Sequence, residues 1–304
     1  MEHCATELDE INRENAGTYD HLVKKHPCFN GEAHAKYGRI HLPVSPACNI
    51  QCRFCKRGFN KSENRPGVSA GILKPSEALA VVTRALELCP QITVVGIAGP
   101  GDTLATDHAT ETFRLISGHY PDLICCLSTN GLRLAEKAKT LIEVGVKTIT
   151  VTVNAADVKT LAKVCSHVNY GGQEHVGEAA AEKLLTAQRA GVKKAVELGL
   201  VVKMNTVLIP GMNDHQIGEI AKLGASLGVS FINVIPLIPQ HELSHYPAPD
   251  CLSLNIARAA AEQYLPVFRH CRQCRADACG IPGSNQDWAE KLYGNRFQNT
   301  FSHG

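Results

Sequence analysis

Aromatic residues are scarce: one Trp, seven Tyr and eight Phe leave little from which to build a stacking platform for nucleobases. Charge of one sign is missing too. The formal net charge is +2, so there is no electrostatic case for a nucleic-acid partner. No uncharged apolar run approaches the length of a membrane span, and no membrane contact is expected. The opening MEHCATELDE has neither a basic start nor an apolar stretch behind it, so no secretory leader is expected either. Low-complexity tracts and short-period repeats are absent. The expected setting is cytoplasmic and reducing, where disulfides are rare, and 304 residues can bury a core without them.

Cysteine, in contrast, is plentiful, with 13 in the chain. In a reducing compartment clustered cysteines point to metal. Cys48, Cys52 and Cys55 stand in the run CNIQCRFC, a C-x3-C-x2-C spacing just after a strand-like stretch. Three thiolates this close can hold three corners of a cubane 4Fe–4S cluster. No fourth cysteine follows in the loop, so one iron keeps an open position, and an open iron does chemistry. A structural zinc site is the bland alternative. Zinc knuckles, however, usually combine two C-x2-C pairs at short intervals, and the next such pair here lies far downstream. With Phe54 before its last cysteine, the loop resembles that of radical S-adenosylmethionine (SAM) enzymes, whose open iron binds the amino and carboxylate groups of SAM.

From residue 39 onward short apolar runs alternate with longer amphipathic ones. Strands are predicted over 39–45, 93–98, 123–128, 148–153, 201–209 and 231–235. Helices are predicted over 76–88, 108–117, 132–144, 179–198, 214–227 and 254–267. Pro75 sits near the start of the first, and Asn213 or Asp214 caps the fifth. Such alternation demands parallel pairing, with helices outside the sheet. Six units are two short of a full (β/α)8 barrel. The expected fold is therefore α/β, a partial (β/α)6 TIM-like barrel of the radical SAM type over 39–268. Segments 1–38 and 269–304 would be terminal extensions folding over its mouth, both carrying cluster ligands. Catalysis on such barrels sits at the C-terminal ends of the strands, where the cysteine loop also lies.

Several strand ends carry polar or glycine-rich runs. The second ends in GIAGPGD, where Gly99, Pro100 and Gly101 let the backbone approach a ligand and offer it N–H groups. Asp102 is carried as a SAM or active-site contact. Ser128, Thr129 and Asn130 end the third strand, although Asn-Gly is also an ordinary turn dipeptide. Asn154 ends the fourth and suits a ribose hydroxyl, a carboxylate or a helix cap. Lys203 and Asn205 share one face of the fifth, opposite Met204 and Thr206. Polar groups inside a barrel need partners, and a bound SAM would supply them. Ile235, in VIPLIP, belongs to an apolar edge suited to adenine.

Further metal-ligating residues lie outside the triplet. Cys28 precedes the first strand, His41 lies on it, and Cys126 ends the third. A lone strand histidine is more often a core residue, and a lone buried cysteine a small hydrophobe. Three such residues at one barrel end shift that balance. Cys125 and Cys126 point to opposite faces, so only one can face the interior. Cys271 and Cys274 form a compact C-x2-C pair, and Cys279 follows closely. Cys4, Cys89, Cys165 and Cys251 have no partner nearby and are read as structural.

Taken together, the runs HPCFNGEAHAKYGRIHLPVSPACNIQCRFC, NRPGV, AGPGD, CLSTNGL, TVTVNA, VLIPGMND and CRQCRADA closely resemble the NifB family of nitrogenase cofactor-assembly proteins. The resemblance covers nearly the whole chain, in the stand-alone archaeal form without a C-terminal carrier domain. It implies SAM as cosubstrate and three clusters. Cys48, Cys52 and Cys55 would hold the SAM cluster; Cys28 with Cys126 and His41, or His26 in its place, a first precursor cluster; Cys271 and Cys274 part of a second. The implied activity, of lyase or transferase type, joins the two precursors with a carbide from a SAM methyl group and a ninth sulfur. One SAM donates that methyl, and another yields the 5′-deoxyadenosyl radical that takes hydrogen from it. The implied partners are an iron–sulfur cluster donor, a cofactor carrier or scaffold, and a low-potential electron donor, as in nitrogen fixation. The chain departs from the family in FNKSENRPG, at 59–67, where the family usually has a cysteine. Glu63 and Cys279 are the substitutes considered, and Glu63 and Arg65 join the candidate catalytic residues. A second precursor cluster held by a carboxylate would be labile.

Two other readings compete. One is a radical SAM enzyme with auxiliary clusters acting on a peptide or small molecule. The other is a non-enzymatic iron–sulfur scaffold, which would need neither an open iron nor SAM.

Overall fold

Short β-branched runs alternating with amphipathic stretches produce a curled parallel sheet wrapped by helices. The computed structural model describes residues 20–284 and 288–293; the remainder, with Cys4, lies outside the described residues. Two one-turn helices, α1 (Asp20–Val23) and α2 (Gly31–His34), precede strand β1 (Gly38–His41). The cysteine loop and the segment after it carry β2 (Ile50–Cys52), β3 (Gly58–Phe59) and β4 (Val68–Ser69). Then follow α3 (Pro75–Leu88), β5 (Ile92–Ile97), α4 (His108–His119), β6 (Ile124–Thr129), α5 (Leu134–Glu143) and β7 (Val146–Thr152). Next come α6 (Val158–Val164), β8 (Cys165–Tyr170), β9 (Gln173–Val176), α7 (Gly177–Glu197) and β10 (Val201–Leu208). The chain continues through α8 (Ile217–Ser226), β11 (Phe231–Pro236), α9 (Cys251–Glu262), β12 (Cys279–Gly280) and α10 (Ala289–Tyr293).

The main sheet runs β11-β10-β7-β6-β5-β1-β12. Its six strands from β1 to β11 are parallel and lie in chain order, as a partial barrel requires. β12 adds antiparallel to β1, with Ile40 opposite Cys279. Period two sorts the side chains. Ile40, Ile149, Val151 and Met204 face the outer core against the helices, while Cys126, Thr150, Lys203 and Asn205 face the interior. Among the described residues no helix is long and apolar enough to cross a membrane.

Four local readings change. The first strand stops at His41, not at 45, because Pro43 has no N–H to give the ladder. The last predicted helix shifts to Cys251–Glu262. Asp250 caps it by accepting from the Ser253 N–H at 2.7 Å, and Pro266 restricts Leu265 before it. Asn213 does not cap the fifth helix. Its amide instead donates to the Asn154 and Val207 carbonyls and accepts from Ile209 N–H, stitching the end of β10. Finally, the span from 155 to 178 holds a helix and a hairpin that periodicity missed. Asp157 caps α6, accepting from Thr160 N–H at 2.8 Å. The hairpin turns at Gly171 and Gly172, with φ of +62° and +76°, the left-handed values such turns need. Its first strand, β8, pairs antiparallel with β2, setting Cys52 opposite Cys165.

Candidate functional site

A cavity of about 320 Å³ opens at the C-terminal ends of the strands. Cys48, Cys52 and Cys55 line it. Their loop is held by backbone. Gly101 N–H and Asp102 N–H donate to the Ser45 and Ala47 carbonyls, each at 2.9 Å, and Asn169 N–H donates to Asn49 O at 2.8 Å. Gln51 Nε2 donates to the carbonyls of Cys52 and Cys55. Burial pushes the Cys48 thiol up to about 12 and raises Cys52 and Cys55 as well. Three desolvated thiols are poor nucleophiles, but they become thiolates once iron supplies the missing positive charge. Among the described residues no three metal-ligating groups converge on one point, as a single zinc ion would need. A cubane instead spreads its thiolates over separate irons. The donor set fits a cluster of that kind.

The glycine-rich turn packs beside this loop. Pro100, Gly101 and Asp102 line the cavity. Gly99 does not; at φ +124° it turns toward Ala276, which an added Cβ would meet at 3.3 Å. Asp102 is buried and accepts from Leu104 N–H (2.9 Å), Asn130 N–H (2.6 Å) and Thr129 Oγ1 (3.0 Å). Burial raises its pKa against these bonds. The carboxylate thus clamps the 99–102 turn to the end of β6. Ser128, Thr129, Asn130, Asn154, Lys203, Asn205 and Ile235 also line the cavity. Asn130 Nδ2 donates to Asn49 Oδ1 at 2.7 Å, and Asn154 Oδ1 accepts from Val207 N–H at 2.9 Å.

The same cavity collects Cys28, His41 and Cys126. Cys125 turns into the outer core. His41 Nδ1 lies 3.0 Å from the Arg275 carbonyl, which can only accept, so the proton sits on Nδ1 and Nε2 keeps its lone pair. His26 lines the cavity with the opposite tautomer. Its Nδ1 accepts from Cys28 N–H at 3.1 Å, which leaves the proton on a buried Nε2. Of the two rings, only His41 keeps a lone pair that these bonds do not use.

Burial, and then the charge of Arg39, lower the His41 pKa from 6.5 to about 4. Between those values the unfolded chain binds a proton that the folded chain refuses. Stability of cluster-free protein is therefore full above pH 6.5 and falls as pH drops toward 4. The His41 share is about 3 kcal/mol. Urea midpoints across this range should fall less steeply in His41→Gln; an unchanged slope would refute the assignment.

Cys271 and Cys274 line the cavity from the C-terminal side, and Arg39 donates to Cys274 Sγ at 3.2 Å. Neither proposed substitute for the family cysteine joins them. Cys279 shares the outward face of Ile40 and is buried in the main core. Glu63 and Arg65 do not line the cavity. The Glu63 carboxylate accepts from Asn60 Nδ2 and Arg65, both at 2.8 Å, while Arg275 donates to the Asn60 and Glu63 carbonyls. The Glu63 carboxylate is thus held within the 59–67 turn, of which Pro66 reaches the cavity wall.

Sequence reasoning missed Gln188. It interrupts the apolar stripe of α7 and donates from the cavity wall to Asn130 O and Thr152 O, at 2.8 and 2.9 Å. A polar residue in such a stripe is the signal that could have found it.

The sequence pattern of the radical SAM superfamily matches residues 42–224. A protein of Methanocaldococcus infernus named FeMo cofactor biosynthesis protein NifB is 46% identical over 270 residues, 88% of this chain and 89% of its own. Its namesake from Methanocaldococcus jannaschii is 44% identical, over 89% of this chain and 91% of its own. The Chlorobaculum tepidum protein of that name is 41% identical over 86% of this chain, which spans 62% of its length. Among solved structures, methylornithine synthase (PylB) matches at a TM-score of 0.51 and 14% identity, covering 87% of this chain and 72% of that one. That likeness concerns the fold alone.

Proposed function

The chain belongs to the radical SAM superfamily and, within it, to the NifB family of FeMo cofactor biosynthesis proteins, and from that premise we propose that it joins two 4Fe–4S clusters into an 8Fe–9S–C core, inserting a carbide from a SAM methyl group and a ninth sulfur. The observation that supports this reading is one cavity lined by three separate donor sets: Cys48, Cys52 and Cys55; Cys28, His41 and Cys126; Cys271 and Cys274. A radical SAM enzyme without auxiliary clusters would need only the first.

When bound, an open-iron 4Fe–4S cluster with SAM supplies 5′-deoxyadenosyl radical chemistry. The chain's own residues do the rest. The triplet anchors that cluster at the barrel mouth. Pro100, Gly101 and the 128–130 turn shape the wall beside it, and Asp102 locks the two turns together. Lys203 donates to the Cys28 carbonyl, and Arg39 to Cys274 Sγ and the Gly280 carbonyl, so both terminal segments close on the barrel. Closure keeps water from a site where any C–H bond nearby is at risk. His41 offers a neutral nitrogen, a weaker ligand than a thiolate, which suits a cluster that must leave as part of the product. A cluster donor, an acceptor for the finished core and a low-potential electron donor complete the proposed system.

Anaerobic turnover with SAM and reductant is expected to yield S-adenosylhomocysteine and 5′-deoxyadenosine together. 5′-Deoxyadenosine alone would favour the peptide or small-molecule reading, and neither product would favour a scaffold.

A further inference from the structure

The charged lining of the cavity is lopsided. Among the described residues Arg39, Arg57, Lys203 and Arg272 face it, against one carboxylate, Asp102, which is committed to the turns beside the triplet. Lys203 stands out, because it rises from β10, next to the edge strand β11, and yet is only 5% exposed. Its Nζ donates to the Cys28 carbonyl at 2.9 Å and sits 4.7 Å above the Phe29 ring and 5.4 Å above that of Phe268. A carbonyl and two ring faces stabilise an ammonium, but none of them carries a compensating negative charge. An ammonium kept in this setting is organised for a negative charge that arrives later.

What surrounds it indicates where that charge arrives. Cys126 packs in one apolar cluster with Phe29 and Cys28, and His41 lines the same cavity. Bonded to the Cys28 carbonyl and seated over the Phe29 ring, the lysine therefore lies beside the donor set at Cys28, His41 and Cys126. Two thiolates and a neutral imidazole balance the 2+ charge of an oxidised 4Fe–4S core. Each electron added makes the assembly anionic, and a buried ammonium favours that form.

We propose that Lys203 is a positioning residue for the first precursor cluster: it fixes Cys28 through its carbonyl and supplies the counter-charge that holds an electron-rich cube between Cys28, His41 and Cys126. This differs from the sequence expectation, in which Lys203 meets SAM, and it rests on the two-precursor reading above.

The test compares the full chain with Lys203→Met and Lys203→Arg after anaerobic loading with iron and sulfide. Pulsed EPR follows the nitrogen-coupled signal of the imidazole-ligated cluster during chelator challenge and redox titration. In Lys203→Met that signal should decay about tenfold faster, and its midpoint potential should move to a more negative value. Lys203→Arg, which keeps the charge, should restore most of both. An unchanged decay rate and potential in Lys203→Met overturns the proposal. So does a Lys203→Arg protein with native circular dichroism that behaves like Lys203→Met. A wild-type chain without any nitrogen-coupled cluster overturns the two-precursor reading itself, and this inference with it.

Discussion

Cys52→Ala is expected to bind about four fewer irons per chain and to cleave SAM more than about a hundredfold more slowly. Cys52 closes strand β2, with its thiol in the cavity and its loop held by backbone on both sides. Cys165 is the informative control. It lines the same cavity and pairs with Cys52 across the β2–β8 ladder, but its Sγ donates to the His167 carbonyl at 3.3 Å. Cys165→Ala should keep both iron and SAM cleavage. Iron assay and chromatography of 5′-deoxyadenosine read both variants. A Cys52→Ala protein that still cleaves SAM at the native rate would sink the triplet assignment.

Gly101→Ala should be among the most damaging single-methyl changes in the chain. An added Cβ would run into the Ala47 carbonyl, 2.5 Å from its carbon, and lie 2.9 Å from Ser45 O. These are backbone atoms of the cysteine loop, and the same carbonyls accept the N–H groups of Gly101 and Asp102. They cannot withdraw without breaking both bonds. Overpacking against fixed backbone is expected to remove about 3 kcal/mol or more of stability, lowering Tm by roughly 6 °C or more in a chain of this size. SAM cleavage should fall as well, since the contact sets the distance between the two turns. Gly118→Ala, where a Cβ meets nothing within 4 Å, is the matching control for scanning calorimetry. Equal Tm values for the two variants would contradict the packing argument.

Much of the site was legible because its signals are local. Thiolates that share one cluster must lie close together, and loop spacing reveals that. Period two on β6 and β10 sorted Cys126 from Cys125, and Lys203 and Asn205 from Met204, since a strand has only two faces. The β8–β9 hairpin was not legible in the same way. Its glycine pair marks a turn, but its partner β2 lies over a hundred residues earlier, and no local rule names a partner at that distance. Asn213 shows another limit. Its type and position suit a helix cap, yet two backbone groups at the end of β10 and one just past β7 claimed it first.

The choice among ligands followed the same division. Residue type and spacing alone determined the α/β alternation, the C-x3-C-x2-C triplet and the pool of cysteines and histidines considered as further ligands. Only the tertiary structure shows which members of that pool line the cavity. The antiparallel addition of β12 turned Cys279 into the core, because residues paired across a ladder share a face. Hydrogen bonds within the 59–67 turn drew Glu63 away from the cavity. The Arg275 carbonyl beside His41 and the Cys28 N–H beside His26 gave two identical rings opposite tautomers. Each outcome depends on what a distant segment places beside the residue, and a side chain's chemistry does not carry that information.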